Sequence, residues 1–188
     1  MLGRSLILFH LHQGRKREAV EEARRSVSLG SSDPRLYHFA AIAELVGGDE
    51  KRARELFERV LPALKGHRRY RLDAGIETYL AYLYARAGRR DEADKLLAEA
   101  LEADRRHLAS GNEYWSVPFD MACAHALRGE KDEALRWLEK AIEAGWRDFP
   151  REGPTTLLES LRSDPRYQKL MARVDGMVAG MRRKAGLD

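Results

Sequence analysis

One phrase of sequence recurs four times and constrains the fold more than any other feature. Each copy has a glycine, a short polar turn and an alanine five residues after the glycine. The glycine–alanine pairs are Gly14–Ala19, Gly48–Ala53, Gly88–Ala93 and Gly129–Ala134. After each alanine, apolar or small residues continue at i+4, i+7 and i+8, which is one face of a helix. Each phrase therefore predicts a helix that ends at the glycine and a second helix that begins just after it.

The spacing of the four glycines indicates a helical solenoid. They lie at positions 14, 48, 88 and 129, so the steps are 34, 40 and 41 residues. One helix pair of this size cannot bury its apolar face alone, so neighbouring pairs must stack into a continuous core. The two longer steps predict longer helices around 61–64 and 68–74 and a longer loop over 109–117. One of the predicted helices covers about 69–87.

These features resemble the tetratricopeptide repeat (TPR), whose first helix has Leu, Gly and Tyr positions and whose second has Ala and Phe positions. In the third copy, Leu80, Ala81 and Tyr84 fill the first set, and Ala93 and Leu97 fill the second. The fourth copy has Met121, Ala122, His125, Ala134 and Leu138 at these places. The resemblance implies an all-α, right-handed α-solenoid of four TPR-like helix hairpins plus a C-terminal capping helix. The four repeats are predicted over residues 1–147, at about 1–33, 34–66, 68–106 and 116–147.

Residues 148–188 are predicted to form a loop, a short helix and the capping helix. The passage around Asp164-Pro165 resembles the ending of TPR arrays in bacterial regulatory proteins, where such a pair introduces a closing helix. An apolar stripe runs along this helix from Tyr167 to Met181. We expect the stripe to pack along the fourth repeat, anchored by Trp146 and Phe149. The alternatives are that the helix lies in the concave groove or contacts a second copy of the chain.

Composition narrows the class of protein. The chain has 188 residues and a net charge of +4, from 34 basic and 30 acidic residues that are well mixed. This mixture is typical of a solvated helical surface and disfavours nucleic acid as the partner. The single cysteine, Cys123, cannot form an internal disulfide, and no run approaches the ~20 apolar residues of a membrane span. We therefore predict a cytoplasmic protein, with no membrane partner.

The candidate chemical motifs favour structural roles. His10 and His12 do not share a helix face, so packing is a better interpretation than metal binding. Cys123 lacks the surroundings of a nucleophile. The acidic pairs Asp91-Glu92 and Asp132-Glu133 open helices, where the helix dipole favours anions. We predict no catalytic, cofactor-binding or metal-binding residue, and no enzymatic activity.

Two basic runs permit a second interpretation. Lys65, Arg68, Arg69 and Arg71 form one run, and 182–184 form the other. Neither run alternates with aromatic residues, so a solvated surface is favoured over an RNA-binding solenoid.

The leading functional prediction is a protein–protein interaction scaffold that binds a peptide or helix of a partner protein. By repeat register, the inner sides of the first helices line the concave groove of TPR proteins, and exposed apolar residues there mark partner sites. The predicted groove residues are Arg4, Leu8, Leu11, His38, Ile42, Leu45, Tyr82, Arg86 and Phe119. The longer repeats leave open that a shift of register places some of them in the core.

Two alternatives concern the larger context of the chain. Met1 already lies at the start of a repeat, so the chain is expected to be a fragment, or its first face is covered by a partner. A fragment would fit a regulatory or sensor TPR domain of a larger bacterial signalling enzyme or transcription regulator. Homo-oligomers could form through the N-terminal face or the C-terminal helix.

Overall fold

The computed structural model describes residues 2–65, 74–111, 114–147 and 154–186, and all regular elements in these ranges are helices. The first four are α1 (Leu2–His12), α2 (Lys16–Ser28), α3 (Pro34–Val46) and α4 (Glu50–Leu64). The next four are α5 (Ile76–Arg86), α6 (Arg90–Ala109), α7 (Ser116–Leu127) and α8 (Lys131–Glu143). A 3₁₀ helix, η1 (Pro154–Leu161), and α9 (Pro165–Lys184) complete the described chain. The predicted all-α fold is confirmed.

The four glycine turns share one backbone geometry. Gly14, Gly48, Gly88 and Gly129 have φ between 67° and 92°, a conformation that side chains with a Cβ rarely adopt. The residue after each glycine donates its backbone N–H to a carbonyl five residues back, for example Glu130 to His125 at 3.0 Å. This bond satisfies one of the carbonyls that a helix end leaves without a partner. The recurring glycine therefore fixes the same sharp reversal between the two helices of every pair.

The alanine of each phrase permits close packing of these helices. Ala19, Ala53 and Ala134 have no exposed surface, and Ala93 is 3% exposed. A methyl group is the largest side chain that fits where two helix backbones approach closely. Burial of all four alanines agrees with the register assigned from the sequence.

Three aspartates begin helices as the sequence predicts for such caps. The Asp33 carboxylate accepts a hydrogen bond from the Arg35 backbone N–H at 3.0 Å, and Asp164 accepts one from Arg166 at 2.8 Å. A proline follows each of these two aspartates at the first helical position. Asp49 caps α4 in a similar way, by accepting the Arg52 N–H at 3.0 Å.

The helices pack as consecutive antiparallel pairs. α1 packs on α2, α3 on α4, α5 on α6 and α7 on α8, and each pair also contacts the next. The first helices of neighbouring pairs touch as well, α1 with α3 and α5 with α7. The first helices therefore lie side by side along one side of the array, where a groove is expected.

The prediction of a helix over about 69–87 is wrong at its N-terminal end. Ala74 and Gly75 are not helical, α5 begins at Ile76, and residues 69–73 lie outside the described ranges. Gly75 is extended (φ −71°, ψ 155°) and donates its N–H to the Asp120 carboxylate at 2.8 Å. Glycine favours helices poorly, and this bond engages its amide with α7 instead. The added length of the third repeat lies in α6, which reaches Ala109.

The C-terminal cap is built mainly by η1. This helix packs on α7 and buries Leu157, Leu158 and Leu161 to within 1% exposure. Trp146, which precedes it, is 3% exposed and stacks on Phe119, whereas Phe149 lies outside the described residues. The 3₁₀ segment thus covers the open side of α7.

The closing helix α9 packs on the fourth helix pair along most of its apolar stripe. It contacts α8, so in this structure it lies at the end of the array and not in the groove. Tyr167 and Val174 are buried, whereas Met181 is 52% exposed. Leu170, Met171, Met177 and Val178 are partly buried against the core, so the stripe packs along most of its length and only its end at Met181 is exposed.

Candidate functional site

The first helices place two of the predicted groove residues in the core. Phe119 has no exposed surface and stacks on Trp146, with ring centroids 4.9 Å apart. His38 is 8% exposed and lies edge-on to Phe57 and Tyr79, at 5.6 and 6.1 Å. Both rings therefore pack between helices and present little or no surface to a partner. The core position that the sequence left open is therefore the one that His38 and Phe119 occupy.

Three further residues are nearly buried. Leu11, Ile42 and Leu45 are 8%, 4% and 7% exposed. The α3 residues from Leu36 to Leu45 are all buried, so this helix has no wide open face. These side chains belong to the core and do not form an open apolar strip.

The remaining four predicted residues keep accessible surface. Leu8 and Tyr82 are half-buried, the Arg4 side chain is 22% exposed and the Arg86 side chain is 53% exposed. Arg4 pairs with Asp33, its Nη1 atom 3.4 Å from the carboxylate. These four residues, on α1 and α5, are the part of the predicted groove that a partner can reach.

Tyr82 and Arg86 form the most developed polar cluster on this side. Arg86 lies one helical turn after Tyr82, with its guanidinium carbon 5.8 Å from the centre of the phenol ring. Its Nε atom also contacts the Glu50 carboxylate of α4 at 2.5 Å. A half-buried aromatic ring, a guanidinium and a carboxylate therefore converge where α5 meets the start of α4.

Glu159 of η1 adds a smaller electrostatic effect on the same two side chains. Burial raises the pKa of the Tyr82 phenol, Arg86 opposes that rise, and Glu50 and Glu159 add to it. The pKa of Arg86 is raised by Tyr82, by Glu50 and, to a smaller extent, by Glu159. Tyr82 thus stays protonated at neutral pH and can both donate and accept a hydrogen bond. Glu50 and Glu159 were not predicted, because residues distant in sequence meet here through the stacking of helices.

The other chemical candidates lie in structural positions. Cys123 is fully buried, and His125 is 6% exposed with its Nδ1 atom 2.5 Å from Glu130. The acidic pairs at 91–92 and 132–133 occupy the first turns of α6 and α8. Within the described ranges, no group of three or more His, Cys, Asp or Glu side chains could hold a metal ion.

Only part of the two basic runs lies within the described residues. Lys65 pairs with Glu99 at 2.8 Å, and the arginines at 68, 69 and 71 lie outside the described residues. Arg182, Arg183 and Lys184 are exposed in the last turn of α9, where cations suit the helix dipole. In the part of the chain that the structure describes, no helix is long and apolar enough to cross a bilayer.

The stacked helix pairs, their shared glycine turns and their buried alanines define a helical-repeat scaffold. The profile of the tetratricopeptide repeat matches residues 78–110 and 120–145, which are the third and fourth pairs. These two segments therefore match the tetratricopeptide repeat, and the resemblance predicted from the sequence is confirmed. Such repeats support a protein-interaction scaffold in general terms.

Three solved structures resemble the chain loosely. A crystal structure of MamA is 17% identical, has a TM-score of 0.43 and aligns over 76% of this chain and 75% of its own. The MamA RS-1 ArsTM double mutant is 17% identical, with a TM-score of 0.43, and the alignment covers 100% of this chain and 96% of the mutant. MamA MSR-1 C2 is 21% identical, with a TM-score of 0.44, and the alignment covers 94% of this chain and 96% of the MamA chain. No curated protein matches the chain.

Proposed function

We propose that the chain is a protein-interaction scaffold that holds a peptide or helix of a partner protein against the inner sides of its first helices. The observation that carries this proposal is the cluster of Tyr82 and Arg86 with Glu50 and Glu159. It combines a half-buried aromatic ring with a guanidinium whose two acidic neighbours come from separate elements. Tyrosine and arginine contribute strongly to binding where they can be desolvated by a partner.

The charges of the cluster favour a partner with a basic residue. Glu50 pairs with Arg86, and Glu159 acts on Tyr82 and Arg86 through its charge, so a lysine or arginine of the partner beside the Tyr82 ring would be attracted by Glu159. Leu8 supplies an accessible apolar surface on α1. The bacterial cytoplasm remains the setting that the sequence predicts. A regulatory role within a larger signalling protein stays a prediction of the sequence.

Site-specific photo-crosslinking tests the groove. A photoreactive phenylalanine analogue replaces Tyr82 in one variant and Ala98, an exposed residue of α6, in a matched control. Irradiation in a lysate of the source cell is expected to attach a discrete partner protein at position 82 and none at position 98. Capture of the same proteins from both positions, or from position 98 alone, would contradict binding in the groove.

A charge reversal then tests the role assigned to the carboxylates. Glu159→Lys is expected to weaken capture from position 82, because it places a cation where the partner's basic residue would lie. Glu139→Lys, at another exposed glutamate, serves as the matched control. Equal capture by both variants would show that Glu159 takes no part in recognition.

A further inference from the structure

A cleft of about 360 Å³ opens between the third and fourth helix pairs, beside their glycine turns. Its apolar lining includes Ala85 of α5, Leu97 of α6 and Leu127 of α7. Arg90 and Asp94 of α6 and Arg128 after α7 provide the charged part of the lining. A volume of this size is at the lower end of the range for ligand pockets, roughly 300–1,000 Å³.

Comparison of the four repeats explains why a cleft opens at this junction. Ala85 lies three residues before its turn glycine, and the equivalent residues of the other repeats are Leu11, Leu45 and Ala126. Leu11 and Leu45 are 8% and 7% exposed, so their side chains fill the space that Ala85 leaves open. Ala126 is only 2% exposed, because η1 covers α7 at that end.

A second position contributes to the same space. Asp94 lies six residues after its turn glycine, where the other repeats have Val20, Arg54 and Leu135. Leu135 is 6% exposed, and Val20 packs so closely against Gly47 that a Cβ there would lie 2.6 Å from its methyl group. Among the four junctions in the described part of the chain, only the third has no large apolar residue at either position. Its cleft therefore has room for an apolar side chain supplied from outside.

The charged residues around the cleft determine which kind of residue could bind beside that apolar side chain. Arg90 forms no ion pair with any described residue. Arg128 pairs with Glu130 at 3.1 Å, and Asp94 is the single carboxylate of the lining. Because Glu130 already balances Arg128, Arg90 is the guanidinium of the lining that is available to bind the carboxylate of an anionic ligand directly.

We propose that this cleft is a docking site for a partner segment in which a leucine-sized side chain lies next to an acidic residue. The side chain takes the space that Leu11 and Leu45 fill in the first two repeats, and the acidic residue pairs with Arg90. The site lies at the turn edge of the third and fourth repeats, apart from the Tyr82 cluster, and does not depend on the groove.

Three short peptides test the proposal on the full chain. The probes are acetyl-Asp-Leu-Asp-amide, the same peptide with alanine for leucine, and acetyl-Lys-Leu-Lys-amide. The measurement is the change in backbone amide NMR signals during titration. We expect the first peptide to bind with a dissociation constant on the order of 1 mM, and to shift signals of Ala85, Arg90 and Arg128. The alanine peptide should bind about tenfold more weakly or worse, and the lysine peptide should not shift these signals.

Two variants with matched controls separate this site from non-specific binding. Ala85→Leu restores the residue of the first two repeats, so it should fold normally and lose the binding, whereas Ala87→Leu, at an exposed residue outside the cleft, should keep it. Arg90→Glu should abolish binding of the acidic peptide and allow binding of the lysine peptide. Arg105→Glu, on the exposed side of the same helix, should bind as the wild type does.

Three outcomes would overturn the proposal. The first is that no peptide shifts the cleft signals at about ten times the expected dissociation constant. The second is that Ala85→Leu, with a well-dispersed spectrum that shows folding, binds as tightly as the wild type. The third is that the shifts map to Tyr82 and Arg86, which would assign the peptide to the groove instead.

Discussion

At the scale of single residues, the buried alanines and the aspartate caps determine how closely and in what order the helices pack. Ala134 is fully buried near the start of α8, and Asp164 caps α9 while its carboxylate also contacts the Arg166 guanidinium at 2.8 Å. Neither residue takes part in the proposed binding sites. Substitutions at these positions therefore report on the fold alone.

Replacement of Ala134 by leucine should destabilise the protein. The three added carbon atoms would enter a close helix contact that has no free space, so the free energy of unfolding should fall by about 1–3 kcal/mol. Denaturation by urea, followed by circular dichroism, measures this change. Ala144→Leu, at an exposed residue just after α8, is the control and should stay within about 0.5 kcal/mol of the wild type. An unchanged midpoint for Ala134→Leu would show that the assigned register is wrong.

The contribution of Asp164 should depend on pH. The hydrogen bond from the Arg166 side chain, with that from its backbone N–H, lowers the pKa of Asp164 from 3.8 to about 2. A folded-state pKa below the unfolded value stabilises the protein above the unfolded pKa, and this stabilisation is lost as pH falls through the folded pKa. The stability difference between the wild type and Asp164→Asn should therefore be constant near neutral pH and shrink between pH 3.8 and about 2. Urea denaturation of both proteins across this range measures it, and a constant difference would contradict the assignment.

The sequence predicts the local features at this scale better than it predicts the site. Glycine turns, alanine contacts and aspartate caps follow from spacings of a few residues, which the chain shows directly. The burial of Phe119 depends on Trp146, and the acidic neighbours of Arg86 come from α4 and η1. These contacts join residues that are distant in sequence, so no local pattern contains them.

At the scale of secondary-structure elements, the C-terminal cap consists of two segments, η1 and α9, that both pack on the fourth helix pair. Both η1 and α9 are recognisable in the sequence as apolar helical segments. Packing decides which helix of the fourth pair each of them covers: η1 packs on α7, and α9 contacts α8. The short η1 buries three leucines, while the C-terminal half of the longer α9 keeps Gly176 and Gly180 in open space.

Shortening of α9 should therefore cost less stability than a single substitution in η1. Leu158→Ala removes a fully buried side chain and should lower the free energy of unfolding by about 2–5 kcal/mol. Removal of residues 176–188 keeps Tyr167 and Val174 and should cost less than half as much. Thermal and urea denaturation of the two variants provide the comparison, with Glu159→Ala as a control at an exposed residue of η1. A truncation as damaging as Leu158→Ala would show that the end of α9 is the main cap.

At the scale of the whole molecule, the solenoid follows from repetition, but its inner surface does not. Any array with these turns and alanines stacks its pairs in the same way, and so the fold class could be predicted. The open or closed state of each junction depends on which residue occupies a single register position, such as Ala85 or Leu45. The same alignment of repeats shows this difference in the sequence, because the third repeat has Ala85 where the first two have Leu11 and Leu45.

From the residues on the inner surface, we predict one class of peptide that the chain does not bind. TPR domains that hold chaperone tails grip a C-terminal carboxylate with Lys, Asn and Arg side chains on the first helices of three repeats. In register, this chain has Arg4, Leu8, Phe39, Gly75 and Tyr79 at those places. Tyr79 is fully buried, Phe39 is 8% exposed, and Arg4 already pairs with Asp33. Calorimetric titration with EEVD-type peptides should therefore detect no binding, and micromolar affinity would contradict the register.

The position of η1 has a consequence for the number of repeats that such a chain can contain. η1 packs beside α7 much as α7 packs beside α5, so the segment from Trp146 onward recognises the last helix pair. Because the C-terminal cap packs on the last helix pair, its contacts do not depend on how many repeats precede that pair. Duplication or loss of an internal unit that leaves α7 intact, for instance residues 48–87, would leave the same ending in place. Copy number, and with it the reach of the inner surface, is thus free to change in evolution or by engineering without a new terminus.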